Sequence, residues 1–297
     1  MWNFIDRNPY QKGLIPMNNA HKLECVICDL DGSLLNSQKK VSPQDLETIK
    51  TLKSKGILFF ISTGRSFPFA QETVGSVGFD LPASCCNGGH IYDFAQKKGL
   101  ACDPLEKEVA IKALDWLLTT EHPFIIYATT GVYFRNRTMK RYTMWEKWNQ
   151  NAAEEYRFAM PTVEDGQLDR DNTTFIKILL TEANDEVYRQ LMEAMGEDAK
   201  KLNPIFSEST LLDVNAAGVN KGKGVQRLSE LFGFDTRNTM AIGDNFNDVT
   251  LMQSVGMPVA PENAEEQIKS MAKFITCSND DSPLTYAISH LYPELLD

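Results

Sequence analysis

The segment LECVICDLDGS, residues 23–33, decides how the chain is organised. It begins as a short apolar run rich in β-branched residues and cysteine, which predicts a buried strand. The run ends in Asp29, Asp31 and a glycine, and the two-residue period of a strand places both carboxylates on one side. Two neighbouring carboxylates repel each other, and burying them is costly unless a cation or a shared proton compensates. The pair therefore indicates either a cation site or an acidic turn that closes an exposed strand.

The composition is that of a globular protein with room for two ordinary domains in 297 residues. Hydrophobic residues make up 42% and charged residues 24%, values that are typical of this class. The formal net charge of −10 disfavours a nucleic-acid partner, which would require a basic surface. It does not disfavour a phosphorylated small molecule, because a bound metal can override the local charge.

The sequence predicts neither a membrane protein nor a secreted one. No apolar run approaches the roughly 20 residues that span a bilayer. Residues 1–22 lack a basic start followed by an apolar segment, so we expect an N-terminal extension and no secretory signal. We expect reduced cysteines and a cytoplasmic location. A four-thiolate zinc site is the less favoured alternative, because strands hold cysteine pairs poorly. The six cysteines are Cys25, Cys28, Cys85, Cys86, Cys102 and Cys277.

The first part of the chain alternates strands with helices. Ser42 and Pro43 are typical of a helix start, and Gly56 of its end. An apolar strand is predicted at 57–61, a helix at 68–77 and a third strand at 82–86. Continuous apolar strands of this kind predict a parallel sheet that is covered on both faces.

The pattern changes after residue 88. Predicted elements there are a strand at 91–94 with a turn at 96–99, a helix capped by Asp103, a hairpin around 130–131, helices near 139–151 and 184–195, and strands at 175–180 and 211–215. The earlier alternation then returns, with a helix from 221 and a strand at 239–242. We therefore predict a catalytic core of residues 23–88 and 218–297, interrupted by an inserted α+β domain of residues 89–217.

Three of the predicted core strands end in polar residues. Asp29 and Asp31 follow the first strand, Thr63 follows the second, and Asp244 with Asp248 follows a later one. In an open parallel sheet, ligands bind outside the carboxyl ends of the strands. One such motif alone is weak evidence, but the ordered set points to a shared site.

In this order the motifs resemble those of the haloacid dehalogenase-like superfamily. Residues 29–33 (DLDGS) resemble its DxDGT motif, with Ser33 keeping the hydroxyl of the usual threonine. Residues 63–65 (TGR) resemble its second motif, Lys221 its third, and residues 243–248 (GDNFND) its GDxxND motif. The insert and Asn87-Gly88 resemble the Cof-type branch, subfamily IIB. The resemblance implies an α/β fold, with a Rossmann-like parallel-sheet core and an inserted α+β cap of the C2 type.

The resemblance also implies a role for each motif. Asp29 would attack the phosphoryl group and form an aspartyl-phosphate. Asp31 would protonate the leaving oxygen and later accept a proton from water. Thr63 and Lys221 would stabilise the phosphoryl oxygens. Residues expected to bind phosphate or substrate are Gly32, Ser33, Gly64, Arg65, Asn87, Gly88 and Asn247.

A Mg²⁺ site follows from the same resemblance, because hard oxygen ligands suit this ion. Its expected residues are Asp29, the backbone carbonyl of Asp31, and Asp244. Asp248 would lie one step further out and orient waters or Lys221. Judged alone, Asp248 is equally well explained as an acidic residue that favours a helix N-terminus.

The expected function is a Mg²⁺-dependent phosphatase of a small phosphorylated metabolite, either a sugar phosphate or a phosphorylated cofactor. Alternatives are a sugar phosphomutase of the same fold and a non-catalytic binding or regulatory relative. We expect a monomer or small homo-oligomer, with no nucleic-acid or membrane partner. The cap sets specificity, and its basic cluster either faces an anionic leaving group or, as we favour, forms a solvated face. This cluster comprises Arg135, Arg137, Lys140 and Arg141.

Overall fold

The computed structural model describes residues 23–78 and 80–296. The predicted extension 1–22 lies outside the described residues. Among those that are described, no helix combines the length and the apolar character that crossing a bilayer requires. All six cysteines lie in the described part and are free thiols.

A five-stranded parallel sheet forms the core. Its strands are β1 (Cys25–Cys28), β2 (Leu58–Ile61), β11 (Thr239–Ile242), β12 (Met257–Ala260) and β13 (Phe274–Ile275). Their order across the sheet is β13-β12-β11-β1-β2. Cys28 is in register with Ile61 of β2 and with Ile242 of β11, so these three strands end side by side.

Helices cover both faces of this sheet, as its apolar strands require. Along β1, Val26 and Cys28 pack into one apolar cluster, while Cys25 and Ile27 pack into another on the opposite face. Ser42 caps the first helix, because its hydroxyl accepts the Asp45 N–H at 3.0 Å. The core helices are α1 (Pro43–Ser54), α2 (Phe67–Val77), α6 (Lys221–Phe232), α7 (Val249–Gln253), α8 (Glu266–Met271) and α9 (Pro283–Leu291).

A second five-stranded sheet, wholly antiparallel, forms the inserted part. Its strands are β6 (Phe124–Ala128), β7 (Gly131–Phe134), β8 (Phe175–Thr181), β9 (Leu202–Glu208) and β10 (Leu211–Ala216), in the order β7-β6-β8-β10-β9. Its helices are α3 (Lys107–Leu118), α4 (Lys140–Asn151) and α5 (Asp185–Met195). The predicted α/β core with an inserted α+β unit is therefore confirmed. Strand β9 was not predicted, because Asn203-Pro204 interrupts its apolar pattern.

A third sheet joins these two parts and corrects the sequence prediction. β3 (Ala83–Cys85), β4 (His90–Asp93) and β5 (Lys98–Cys102) pair antiparallel. We expected β3 in the parallel sheet, but within the described residues a single parallel bridge, between Ser62 and Ser84, connects it to that sheet. The turn predicted at 96–99 is also wrong in part, because β5 already begins at Lys98.

Asp103 does not cap α3, contrary to the prediction. Its carboxylate accepts hydrogen bonds from Lys223 at 3.0 Å and from Arg227 at 2.8 Å. Helix α3 begins only at Lys107, and Glu106 before it makes no capping bond with its side chain. Two cations from α6 hold Asp103 more strongly than free backbone N–H groups would. This contact ties the inserted part to the core helix that carries Lys221.

Candidate active site

The site lies where the parallel strands end. Asp29 follows β1, Thr63 follows β2 after one residue, and Asp244 follows β11 after one residue. Since these three strands are adjacent and in register, their polar ends meet at one edge of the sheet. A cavity of about 660 Å³ opens there, with core residues on one side and residues of the inserted part on the other.

Asp29 and Lys221 form the buried centre of the site. Lys221 Nζ lies 2.7 Å from Asp29 Oδ1 and 2.6 Å from Asp248 Oδ1, and the Lys221 side chain is fully buried. Lys221 is the first residue of α6, which Asn220 caps by accepting the Lys223 N–H. Burial raises the pKa of Asp29 well above its ordinary value, against the lowering effect of Lys221. Burial lowers the pKa of Lys221, but Asp248 and Asp29 raise it more, so the ammonium stays charged.

Asp244 and Asp248 add further negative charge beside this centre. Ser33 Oγ donates to Asp244 Oδ1 at 2.9 Å, and burial together with repulsion from Asp248 raises the pKa of Asp244 to about 7. A Cβ on Gly32 would lie 2.3 Å from Asp244 Oδ2, and Gly32 has a φ of +79°. Only glycine therefore fits at position 32, against the Asp244 carboxylate.

The donor set fits a hard divalent cation. One oxygen from each of Asp29, Asp244 and Asp248 can be chosen so that all lie within 4.8 Å of one another. Lys221 pairs with Asp29 and Asp248, and no ion pair with Asp244 forms among the described residues, so the carboxylates exceed the positive charge available. Asp248 Oδ2 already accepts the backbone N–H groups of Asp244 and Asn245, each at 3.1 Å. Asp29 and Asp244 thus have the freer oxygens, and Asp248 holds their loop and Lys221 in place.

Asp31 accepts hydrogen bonds that the sequence did not predict. Arg65 donates to both of its oxygens, at 2.8 and 2.6 Å, and Lys39 Nζ lies 2.8 Å from Oδ1. Burial raises the pKa of Asp31, but Arg65 and Lys39 together lower it to about 2. In this arrangement Asp31 is a carboxylate, and its low pKa makes it a weak base. To accept or donate a proton, it must leave Arg65.

The remaining predicted residues fall into two groups. Gly32, Thr63, Gly64, Arg65 and Asn247 line the cavity together with Asp29, Asp31 and Asp244. Ser33, Asn87, Gly88, Lys221 and Asp248 lie behind the lining. Asn87 takes a left-handed conformation, with φ +57°, and its Oδ1 accepts the Asn247 Nδ2–H at 3.1 Å. Apart from Lys221, whose ammonium contacts Asp29 directly, this second group positions the residues that face the cavity.

A buried ion pair on the inserted side was missed. Lys177 of β8 and Asp213 of β10 pair directly, and each side chain is only 2% exposed. Lys177 Nζ also donates to the Gly64 carbonyl at 2.6 Å and lies 4.4 Å from the centre of the Tyr127 ring. The sequence could have indicated this pair, because each of two otherwise apolar strands contains a single charged residue. Through Gly64, the pair connects the inserted sheet to the loop that carries Thr63.

The four residues of the basic cluster predicted in the insert have different surroundings in the structure. Arg135 pairs with Glu164 at 2.7 Å, Arg137 with Asp165 at 3.1 Å, and Lys140 with Glu182 at 3.3 Å. Arg141 lines the cavity and makes no hydrogen bond or ion pair with any described residue. One member of the cluster therefore faces the site, while the other three pair with acids of the insert.

Comparison with known proteins gives consistent matches over most of the chain. The profile of a family described as haloacid dehalogenase-like hydrolase matches residues 26–288. A relative from Mycoplasma genitalium is 30% identical over 86% of this chain and 93% of its own length. The pyridoxal phosphate phosphatase of Escherichia coli is 27% identical over 90% of this chain and 98% of its own. A 5-amino-6-(5-phospho-D-ribitylamino)uracil phosphatase of Bacillus subtilis is 25% identical over 90% and 95%.

Solved structures share the fold at lower sequence identity. A haloacid dehalogenase-like hydrolase from Bacteroides thetaiotaomicron superposes with a TM-score of 0.76 at 23% identity, covering 91% of this chain and all of that one. A sugar phosphatase of HAD subclass IIB gives a TM-score of 0.71 at 19% identity, covering 90% and 98%. These two matches support the architecture of core and inserted sheet.

Proposed function

The chain belongs to the haloacid dehalogenase-like hydrolase family, and we propose that it is a Mg²⁺-dependent phosphatase of a small phosphorylated metabolite. The observation that carries the proposal is the buried Asp29 at the end of β1, 2.7 Å from Lys221 and open to the cavity. An aspartate beside a fixed cation suits attack on a phosphoryl group better than any other role at this position.

In the first step, a carboxylate oxygen of Asp29 attacks phosphorus. The bond from phosphorus to the leaving oxygen breaks, and an aspartyl-phosphate forms on Asp29. Once Asp31 has left Arg65 and Lys39 and taken up a proton from solvent, it gives that proton to the leaving oxygen. In the second step, water attacks the same phosphorus and Asp31 accepts a proton of that water. The bond between the Asp29 oxygen and phosphorus breaks, which releases inorganic phosphate and restores the Asp29 carboxylate.

Charge stabilisation is shared by the end of β2, the start of α6 and the loop after β11. Thr63 and Lys221 stabilise the equatorial oxygens of the transferring group, and Asn247 lines the cavity beside them. Asp29, the Asp31 carbonyl and Asp244 would hold Mg²⁺, which would supply positive charge to the phosphoryl oxygens. Asp248 holds Lys221 and the Asp244 loop in position by accepting a hydrogen bond from each.

The inserted part acts as a cap that excludes water and selects the leaving group. The relatives named above support phosphorylated cofactors and metabolites as the substrate class. Oligomeric state, cytoplasmic location and the domain boundaries after residues 88 and 217 stay predictions.

The test is release of inorganic phosphate from a panel of phosphomonoesters, with Mg²⁺ and with EDTA. We expect turnover that requires the metal. A phosphomutase would instead move the phosphoryl group between sugar positions with little phosphate released. A non-catalytic relative would release none from any ester, and Asp29→Asn would then behave like the parent.

A further inference from the structure

Two strands beyond the acidic site, β12 and β13, run parallel to β11, so they end at the same edge of the sheet. The loop after β12 carries Asn263 and leads into α8, and the loop after β13 carries Asn279 and leads into α9. Neither residue takes part in the proposed phosphoryl transfer. Because the loops of parallel strands gather at one edge, both loops can reach the residues that follow β1.

Asn263 contacts the loop that carries the second aspartate of the site. Its Nδ2 donates to the Gly32 carbonyl at 2.8 Å. Gly32 follows Asp31, whose backbone carbonyl is an expected ligand of the cation. It also precedes Ser33, whose hydroxyl donates to Asp244 Oδ1 at 2.9 Å. The Asn263 amide therefore holds the peptide that lies between two parts of the expected cation site.

The residues next to Asn263 contact the other acidic loop. The Glu265 N–H, two residues further on, donates to the Asp244 carbonyl at 2.9 Å. This short segment is itself well fixed, because Ala264 is 5% exposed and its N–H donates to the Pro261 carbonyl at 3.0 Å. The segment thus connects the loop after β1 to the loop after β11, which together carry the expected ligands of the cation.

Asn279 fixes the orientation of the Asn263 amide. The backbone N–H of Asn279 donates to Asn263 Oδ1 at 2.9 Å, which leaves the Nδ2 group of Asn263 for the Gly32 carbonyl. The Asn279 side chain donates to the Leu35 carbonyl at 2.8 Å, three residues beyond Gly32. An amide that is engaged at both its oxygen and its nitrogen has one orientation, as a residue that positions another group requires.

We propose that Asn263 is a positioning residue for the Mg²⁺ site, because it holds the Gly32 peptide and through it the Asp31 carbonyl. This inference rests on the proposed function, which places Mg²⁺ at Asp29, Asp31 and Asp244. Removing a group that orients metal ligands from outside typically weakens metal binding on the order of 10–100-fold. Asn263 is exposed and acts through a neighbouring peptide, so we expect an effect at the lower end of this range.

Calorimetric titration with Mg²⁺ measures this effect without turnover. We expect Asn263→Ala to raise the Kd for Mg²⁺ about tenfold. The matched control is Asn149→Ala, in α4 of the cap and outside the cavity lining. Asn149 donates to the Phe158 carbonyl at 2.8 Å and accepts the Phe158 N–H at 2.9 Å, so both substitutions remove one bond of each kind. The control should leave the Kd unchanged.

Urea unfolding in the presence of EDTA separates a positioning role from a structural one. A merely structural asparagine would shift the unfolding midpoint and leave the Kd of the folded protein for Mg²⁺ unchanged. We expect similar shifts of the midpoint in Asn263→Ala and Asn149→Ala, while only Asn263→Ala weakens Mg²⁺ binding.

An unchanged Kd in Asn263→Ala, or an equal rise in Asn149→Ala, would overturn the inference. The proposed function would still stand if the parent protein released phosphate in a Mg²⁺-dependent way. A parent protein that binds no Mg²⁺ would overturn both, because the proposed function requires this metal.

Discussion

Two buried lysines, one in the core and one in the cap, show how differently the two halves of the site are built. Lys221 lies between Asp29 and Asp248, with Asp244 nearby, so its surroundings carry more negative than positive charge. Lys177 has one carboxylate partner, Asp213, and a backbone carbonyl, so its charges balance. The core site has an excess of negative charge that an additional cation would offset, whereas the cap pair is balanced as it stands. We propose that the first serves chemistry and that the second holds the cap against the Gly64 loop.

The largest effect should come from removing the carboxylate of Asp29. We expect Asp29→Asn to lower kcat by about 10⁴-fold or more, because no other side chain can form the covalent intermediate. The free energy of unfolding measured without Mg²⁺ should not fall, since the change removes a buried charge and its repulsion with Asp248 and Asp244, which together outweigh the lost attraction to Lys221. Phosphate release and urea denaturation measure the two quantities. A loss of activity below tenfold would show that Asp29 is not the nucleophile.

Breaking the cap pair should cost stability. Lys177→Met leaves Asp213 buried and unpaired, and we expect the free energy of unfolding to fall by about 3–5 kcal/mol. The double change Lys177→Met with Asp213→Leu should recover most of this loss, because an apolar pair replaces a balanced ion pair. Urea denaturation of both variants tests the claim. No recovery in the double variant would mean that the pair has a role beyond balancing its own charge.

Mg²⁺ should stabilise the folded protein through the acids of the core and not through the acids of the cap. At a Mg²⁺ concentration of 100 times Kd, the free energy of unfolding should rise by about 2.7 kcal/mol. Asp244→Asn should abolish this gain, and Asp165→Asn, which changes an acid of the cap, should retain it. Thermal unfolding with Mg²⁺ and with EDTA measures the difference. An equal gain in both variants would contradict the assignment of the metal to the core.

The smallest predicted effect concerns His90, at the junction of core and cap. It is 2% exposed, and burial lowers its pKa from 6.5 to about 4. Between these values the unfolded chain binds a proton that the folded chain does not, so the stabilisation present above pH 6.5 is lost as the pH falls toward 4. From pH 7 to pH 5 the loss should be about 2 kcal/mol.

Denaturation at the two pH values, with the parent and His90→Gln, isolates this contribution. The variant lacks the titrating group, so its decline over the same interval should be smaller by that amount. An identical decline in both proteins would show that His90 is not the group responsible.

The core site was largely predictable, and the cap side was not. Asp29, Thr63 and Asp244 each follow an apolar strand, and parallel strands bring such positions together whatever lies between them. Lys177 and Asp213 are neighbours because β8 pairs with β10. The sequence of neither strand reveals this pairing. Asp31 was expected to face substrate, but its pairing with Arg65 depends on side-chain conformation across 34 positions. The three-residue strand β3 was too short to reveal that its main partner runs antiparallel.

Chemical trapping of the intermediate on Asp29 tests the central claim most directly. The enzyme is quenched during turnover and treated with borohydride, which reduces an acyl phosphate on aspartate to homoserine, and a digest is then read by mass spectrometry. The account predicts homoserine at position 29, absent without substrate and absent in Asp29→Asn. Continued turnover with aspartate intact at position 29, or homoserine at any other position, would contradict it.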